Sequence, residues 1–237
     1  MVINALNSDM SRGHTSRSDA LIMALADGAT SHFPGAGRRQ RHAAETRLRI
    51  FRCALQLFAE RGYPNVTVEE ITEAADVGKG TFFNYFESKD HVLGVMAEVQ
   101  LGKVREAVSA AEQGKQRIHS VMHRLVLRLA EEPGRSPSLA RAFISSFLAS
   151  ERVRSVIELN MREGRKMIAE VVAAGQERYE IDPHLKKEKV AMQLLQTCMG
   201  TVLLWSLDGA PALKVRIEDS FQHFWRAVAV SGKEQKK

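Results

Sequence analysis

The chain has 237 residues, 44% hydrophobic and 26% charged, with a formal net charge of +6 and six prolines, so it can bury a substantial core as one large or two modest domains of an all-α globular class. Its two cysteines, Cys53 and Cys198, lie far apart and form no CxxC pair, which argues against a disulfide framework or a zinc site and fits a reducing cytoplasm. No apolar run approaches the length needed to cross a bilayer, and LIMALA at 21–26 is too short and too poorly flanked by basic residues for a signal peptide.

Residues 1–37 show no sustained period and are expected to form a disordered extension, with Met10 or Met23 as alternative starts. From Arg38 to Arg52 there are six arginines, Arg38, Arg39, Arg41, Arg47, Arg49 and Arg52, against the single acid Glu45. A polyanion is the natural partner of such a cluster. The first helix is expected over 43–61, where Ile50, Cys53, Ala54, Leu57 and Phe58 form one apolar stripe. Gly62 and Pro64 stop it, and Cys53 reads as a small core residue.

Thr67 then opens a capping box with Glu70, and Val68, Ile71, Ala74 and Ala75 give a short helix one narrow apolar face. Asp76, Val77 and Gly78 break it, with Gly78 expected at the positive φ. In the next short helix Gly80 and Thr81 are small early residues, Phe82 and Phe86 anchor one side, and Lys79, Thr81, Phe83, Asn84 and Tyr85 occupy the other. Two short helices about such a turn make a helix-turn-helix, whose second helix fits the DNA major groove. Lys79 suits guanine or phosphate, Thr81 phosphate or a thymine methyl, and Asn84 adenine. A helical hairpin with a solvated polar side would show the same periodicity.

The run TVEEITEAADVGKGTFFNYFESKDHV resembles the DNA-binding signature of the TetR family of transcriptional regulators. The resemblance covers Glu45 to about Val92. It implies an all-α homodimer with an N-terminal three-helix DNA-binding domain at 38–87 and a larger helical ligand-binding and dimerisation domain at 88–231, followed by a flexible tail at 232–237. DNA contacts are expected from Arg47, Thr67, Lys79, Gly80, Thr81, Phe83, Asn84, Tyr85 and Lys89, with Thr67, Lys89 and Arg47 mainly positioning the phosphate backbone. Two residues depart from the family pattern: Phe83 stands where Tyr is usual and lacks its hydroxyl, and Tyr85 stands where His is common.

Ser88 caps a fourth helix that runs to about Ala111 and links the DNA-facing unit to the rest. Five more segments are expected at about 116–131, 137–149, 151–178, 184–207 and 211–230. The last two are rich in large side chains and could simply cap a monomer core, but the resemblance implies that they pair two copies as a four-helix bundle, with Leu194, Cys198, Val202, Ile217, Phe221 and Phe224 expected at the contact. A pocket for a small-molecule effector, inferred from the resemblance, is expected to draw on His123, Arg141, Phe143, Phe147, Met161, Met199 and Trp205.

No nucleophile elbow, HExxH, phosphate-binding glycine loop or other catalytic set is present. His119 and His123 lie four apart but lack a supporting third ligand, so no metal and no cofactor are expected. With no catalytic set present, the resemblance implies a non-enzymatic, cytoplasmic DNA-binding regulator, a repressor released from an inverted-repeat operator by a small molecule. The alternative is a protein of the same fold controlled by a protein partner or lacking a small ligand.

Overall fold

The computed structural model describes residues 38–230, apart from the side chains of Arg38, Gln40, Arg41, Leu148 and Ala149. The expectations for residues 1–37 and 232–237 lie outside the described residues. Helix α1 spans Arg38–Arg61, beginning five residues before the expected start at Ala43, because Arg, Gln and Ala are good helix formers even where no core face requires them. Gly62, at φ 80°, ends it, with its amide donating to the Phe58 carbonyl at 3.0 Å. A 3-10 turn over Tyr63–Asn65 leads to α2, Val68–Ala74, and α3, Lys79–Tyr85.

The capping box is present in both directions: Thr67 Oγ1 accepts from the Glu70 amide at 3.2 Å, and the Glu70 carboxylate accepts from the Thr67 amide at 2.8 Å. The turn after α2 differs from expectation. The positive φ falls on Asp76, at 49°, while Gly78 caps α3 with an extended φ of −72°. Asp visits the left-handed region more readily than most side chains, so the turn does not require the glycine there.

Helix α4, Lys89–Glu112, starts on the Ser88 cap, whose hydroxyl accepts from the His91 amide at 3.2 Å. It is followed by α5, Ile118–Leu129, a 3-10 turn at Pro133–Arg135, α6, Pro137–Ala149, and α7, Glu151–Glu177. Ser136 and Ser150 cap α6 and α7 by accepting from Leu139 and Val153 amides. Helix α8, Lys187–Asp208, stops at Gly209 with φ 72°, and α9 covers Leu213–Val228.

The buried side chains form two apolar clusters. One joins α1–α3 and the start of α4 to Leu139 and Ala142 of α6 and to Val153 and Ile157 of α7. The other fills the space among α4, α5, α7, α8 and α9. Helices α1–α3 therefore share a core with α6 and α7 instead of hanging from α4 alone.

Two expectations are corrected. Helix α8 is, by length and composition, apolar enough to cross a bilayer, although a core helix passes the same test and 28% of its apolar window is buried here. The six residues expected at a dimer contact lie inside one chain. Leu194, Val202, Ile217, Phe221 and Phe224 are at most 8% exposed, and Cys198 packs against the same cluster. Helix α8 is apolar on two sides, and its sequence stripe does not say which side its own chain takes. The side left uncovered carries Leu203, Leu204 and Leu207, at 45%, 61% and 68% exposure, beside Val215 of α9 at 48%.

Candidate functional site

The second helix of the helix-turn-helix is held from behind. Phe82 and Phe86 are fully buried, 5.6 Å apart between ring centroids, so α3 cannot rotate without opening the core. This turns the other side outward: Lys79, Gly80 and Asn84 are exposed, and Phe83 is 53% exposed. Thr81 and Tyr85 are partly buried at the edge of that face. A Cβ placed on Gly80 would meet nothing within 4 Å, so nothing inside the chain demands a glycine. Lys79 pairs with Glu69 across the turn, and that partner holds the Glu69 carboxyl below its usual range. The pair sits in solvent, where such contacts are weak and readily exchanged for a phosphate. Thr67 is exposed at the start of α2, with its hydroxyl engaged in the cap.

Two expected phosphate contacts are corrected. Arg47 is only 7% exposed, and its guanidinium lies 5.6 Å from the centre of the Phe86 ring. The arginine face of α1 that reads as solvated wraps inward at this position, because α3 packs across it. Lys89 is likewise committed. Its ammonium donates to the carbonyls of Val66, Tyr63 and Pro64 at 2.9, 3.1 and 3.4 Å and lies 4.6 Å from the Tyr63 ring centre. Burial pushes its pKa down. Three donors serve three carbonyls, so this lysine closes the loop before α2 rather than reaching outward.

A cavity of about 140 Å³ lies at the boundary of the two apolar clusters, with walls from α4 to α9. Phe143, Phe147, Met161 and Met199 line it as expected. His123, Arg141 and Trp205 do not. His123 Nε2 donates to the Glu218 carboxylate at 2.7 Å and its ring stacks on His119 at 6.0 Å and 17°. Arg141 donates to the Ser206 carbonyl, tying α6 to α8, and Trp205 is 3% exposed within the core. The wall that sequence reasoning missed is α4, which supplies Met96, Ala97, Gln100, Leu101 and Val104. Its signal was available: α4 is apolar around most of its circumference, as a helix enclosed on several sides must be. No Asp, Glu, Lys, Arg or His lines the cavity among the described residues.

The cavity touches both ends of the molecule mechanically. Met96, Ala97 and Ile157 belong to the cluster that contains Phe82 and Phe86, while Val104, Ile168 and Val202 belong to the other. Just above, Arg152 of α7 pairs with Glu87 at 3.0 Å, and Ser150 donates to Asp90 at 3.4 Å. Among the described residues no three His, Cys, Asp or Glu side chains converge as a metal set. The Cys198 thiol at the cavity wall is pushed up to about 12 by burial, which leaves almost no thiolate at neutral pH.

Residues 50–96 match the family model described as bacterial regulatory proteins, tetR family. The regulator TcmR of Streptomyces glaucescens is 43% identical over 77 residues, which cover 32% of this chain and 32% of TcmR, so the chain spans about a third of that relative's length. The repressor KstR2 of Rhodococcus jostii is 29% identical over 174 residues, covering 69% of this chain and 80% of its own. The structure of Thermus thermophilus FadR, a repressor in complex with lauroyl-CoA, superposes with a TM-score of 0.54 at 27% identity, covering 75% of this chain and 92% of that one.

Proposed function

The chain belongs to the tetR family of bacterial regulatory proteins, and from that premise we propose that it is a cytoplasmic, homodimeric repressor that leaves an inverted-repeat operator when an uncharged, largely apolar small molecule occupies the interior cavity. The observation that carries this reading is the division of α3 into a locked apolar side, Phe82 and Phe86, and an open polar side, Lys79, Thr81 and Asn84. Asn84 suits adenine and Lys79 guanine or phosphate. Gly80 leaves room for close approach, and Phe83 can meet a thymine methyl or a sugar by apolar contact. Thr67 stands at the edge of the same surface, where a backbone phosphate would pass.

The uncovered strip of Leu203, Leu204, Leu207 and Val215 suits a second copy, since such an apolar patch is costly in water and a two-fold contact would cover the same patch on both copies. Two recognition helices would then read half-sites about 34–36 Å apart. A ligand that fits better when α4 and α7 are spread apart would favour a conformation in which the helix-turn-helix units are respaced, and DNA affinity would fall by that difference in fit. KstR2 is named a repressor and FadR, another repressor, holds lauroyl-CoA, which supports a repressor that answers to a small molecule; the apolar lining here suits a body like the lauroyl chain and not the charged CoA head.

The test is selection of bound sequences from a random duplex pool with the full-length protein. A palindromic consensus is expected, and Asn84→Ala should lose preference at particular bases by about 1–3 kcal/mol with little change in thermal stability. A consensus without symmetry, or an Asn84→Ala protein with unchanged preference, would overturn the assignment of α3. The alternative, a regulator of this fold with no small-molecule ligand, draws support from the cavity volume of about 140 Å³, below the roughly 300–1,000 Å³ of most ligand pockets. Operator affinity that no member of a broad metabolite set changes would favour it.

A further inference from the structure

The cavity is apolar except for a few groups, and one of these has a direction imposed on it. Gln100 lines the wall on α4. Its amide nitrogen donates to Glu132 Oε2 at 2.8 Å, and the same carboxylate oxygen accepts from Lys103 at 2.5 Å. Lys103 is 2% exposed and Glu132 5%, and the lysine also donates to the Arg128 carbonyl at 2.6 Å. A carboxylate only accepts, so the Gln100 amide cannot flip without setting its oxygen against the Glu132 oxygen. Gln100 Oε1 is therefore held away from Glu132, and it is buried with no hydrogen-bond partner. Buried acceptors in native structures are nearly always satisfied, by protein, water or ligand.

We infer that Gln100 Oε1 is the recognition point for a single hydrogen-bond donor, a hydroxyl or N–H, on an otherwise apolar ligand, with the Lys103–Glu132 pair holding the amide in the receiving orientation. This rests on the reading of the cavity as the effector site and makes it more specific: an apolar body alone is not the best occupant, and an acceptor-only or anionic head is disfavoured. Two other polar side chains line the wall. Asn160 donates to the Val156 carbonyl of its own helix at 2.9 Å, but its oxygen is not buried without a partner as that of Gln100 is, so water can satisfy it, and the Cys198 thiol is a weak partner. An apolar cavity of about 150 Å³ takes up benzene, so a bicyclic probe of modest size is a fair trial for the roughly 140 Å³ here.

The experiment compares indole with indene, which share a shape and differ in one N–H, by calorimetric titration and thermal shift of the full-length protein. The parent is expected to bind indole roughly threefold to tenfold more tightly, the usual worth of one neutral hydrogen bond, and Gln100→Met should bring the two ligands together by weakening indole alone. Equal binding of indole and indene by the parent would overturn the inference while leaving the cavity as a ligand site. A preference that survives Gln100→Met would overturn it as well, placing the acceptor elsewhere. Failure of both probes to bind the parent would remove the cavity reading and the inference together. The parent comparison stands even if the variant folds poorly.

Discussion

The DNA-facing unit and the cavity-bearing unit are built from the same amphipathic helices, yet they keep opposite things open. In the first, Phe51, Phe58, Phe82 and Phe86 fill the centre completely, and the exposed polar side of α3 is what remains for a partner. In the second, large side chains leave about 140 Å³ unfilled where it meets the first, and the partner enters. A surface that reads a rigid duplex gains from a core that cannot shift, whereas a site that must respond to a ligand gains from walls that can move. Helix α4 belongs to both, with Val92 and Val95 in the tight core and Gln100 and Val104 at the void.

The contrast can be tested where its effect is largest at Lys89. If the lysine closes the Tyr63–Val66 loop, Lys89→Ala should lower unfolding free energy by about 1.5–3 kcal/mol, the usual worth of hydrogen bonds to a charged group, as read from urea titration. The salt slope of DNA binding should stay that of the parent. A slope reduced by about one with unchanged stability would instead make Lys89 a phosphate contact.

A matched pair of enlargements probes the packing difference itself. Ala54 is fully buried beneath the helix-turn-helix, so Ala54→Val should cost about 1–3 kcal/mol by overpacking. Val104 stands at the cavity wall, and Val104→Ile should gain about 0.8 kcal/mol for its added methylene. Thermal unfolding of both variants measures the two signs, and equal losses would mean that the cavity is no looser than the front core.

The smallest expected effect is on pH. His91, at the junction of α3 and α4, and His119, on α5, both have pKa values pushed down, chiefly by burial, with His123 adding to the effect at His119. The unfolded chain then binds more protons than the folded one once pH falls below the ordinary imidazole range near 6.5, so stability should be level above it and decline below it. Comparing unfolding midpoints at pH 7.5 and 5.5 for the parent and for His91→Gln and His119→Gln would apportion the decline, and a midpoint that rises on acidification would contradict the burial of both rings.

Much of the front unit was legible because its signals are local. The Thr67–Glu70 box, the Ser88 cap and the four-residue spacing of Phe82 and Phe86 act within a turn or two of the chain, and a helix that begins with such a cap has little else to become. Arg47 and Lys89 were misplaced because a basic side chain looks alike whether it faces solvent or folds onto a ring or a loop carbonyl brought in from elsewhere. The cavity was half legible: Phe143, Phe147, Met161 and Met199 are apolar residues on inward faces, and α4 is apolar enough to be enclosed, but which of its sides faces the void appears only once α7 lies along it.

The sequence by itself determined which segments become helices, the caps at Thr67 and Ser88, and which side of α3 stays polar, since capping and periodicity are properties of neighbouring residues. The tertiary structure alone decided which apolar side of α8 its own chain covers, leaving Leu203, Leu204 and Leu207 outside while Leu194 and Val202 go in. It also decided that Gln100 turns its oxygen away from Glu132. Both depend on residues dozens of positions apart meeting in space, and no spacing along the chain encodes which of several compatible faces will meet.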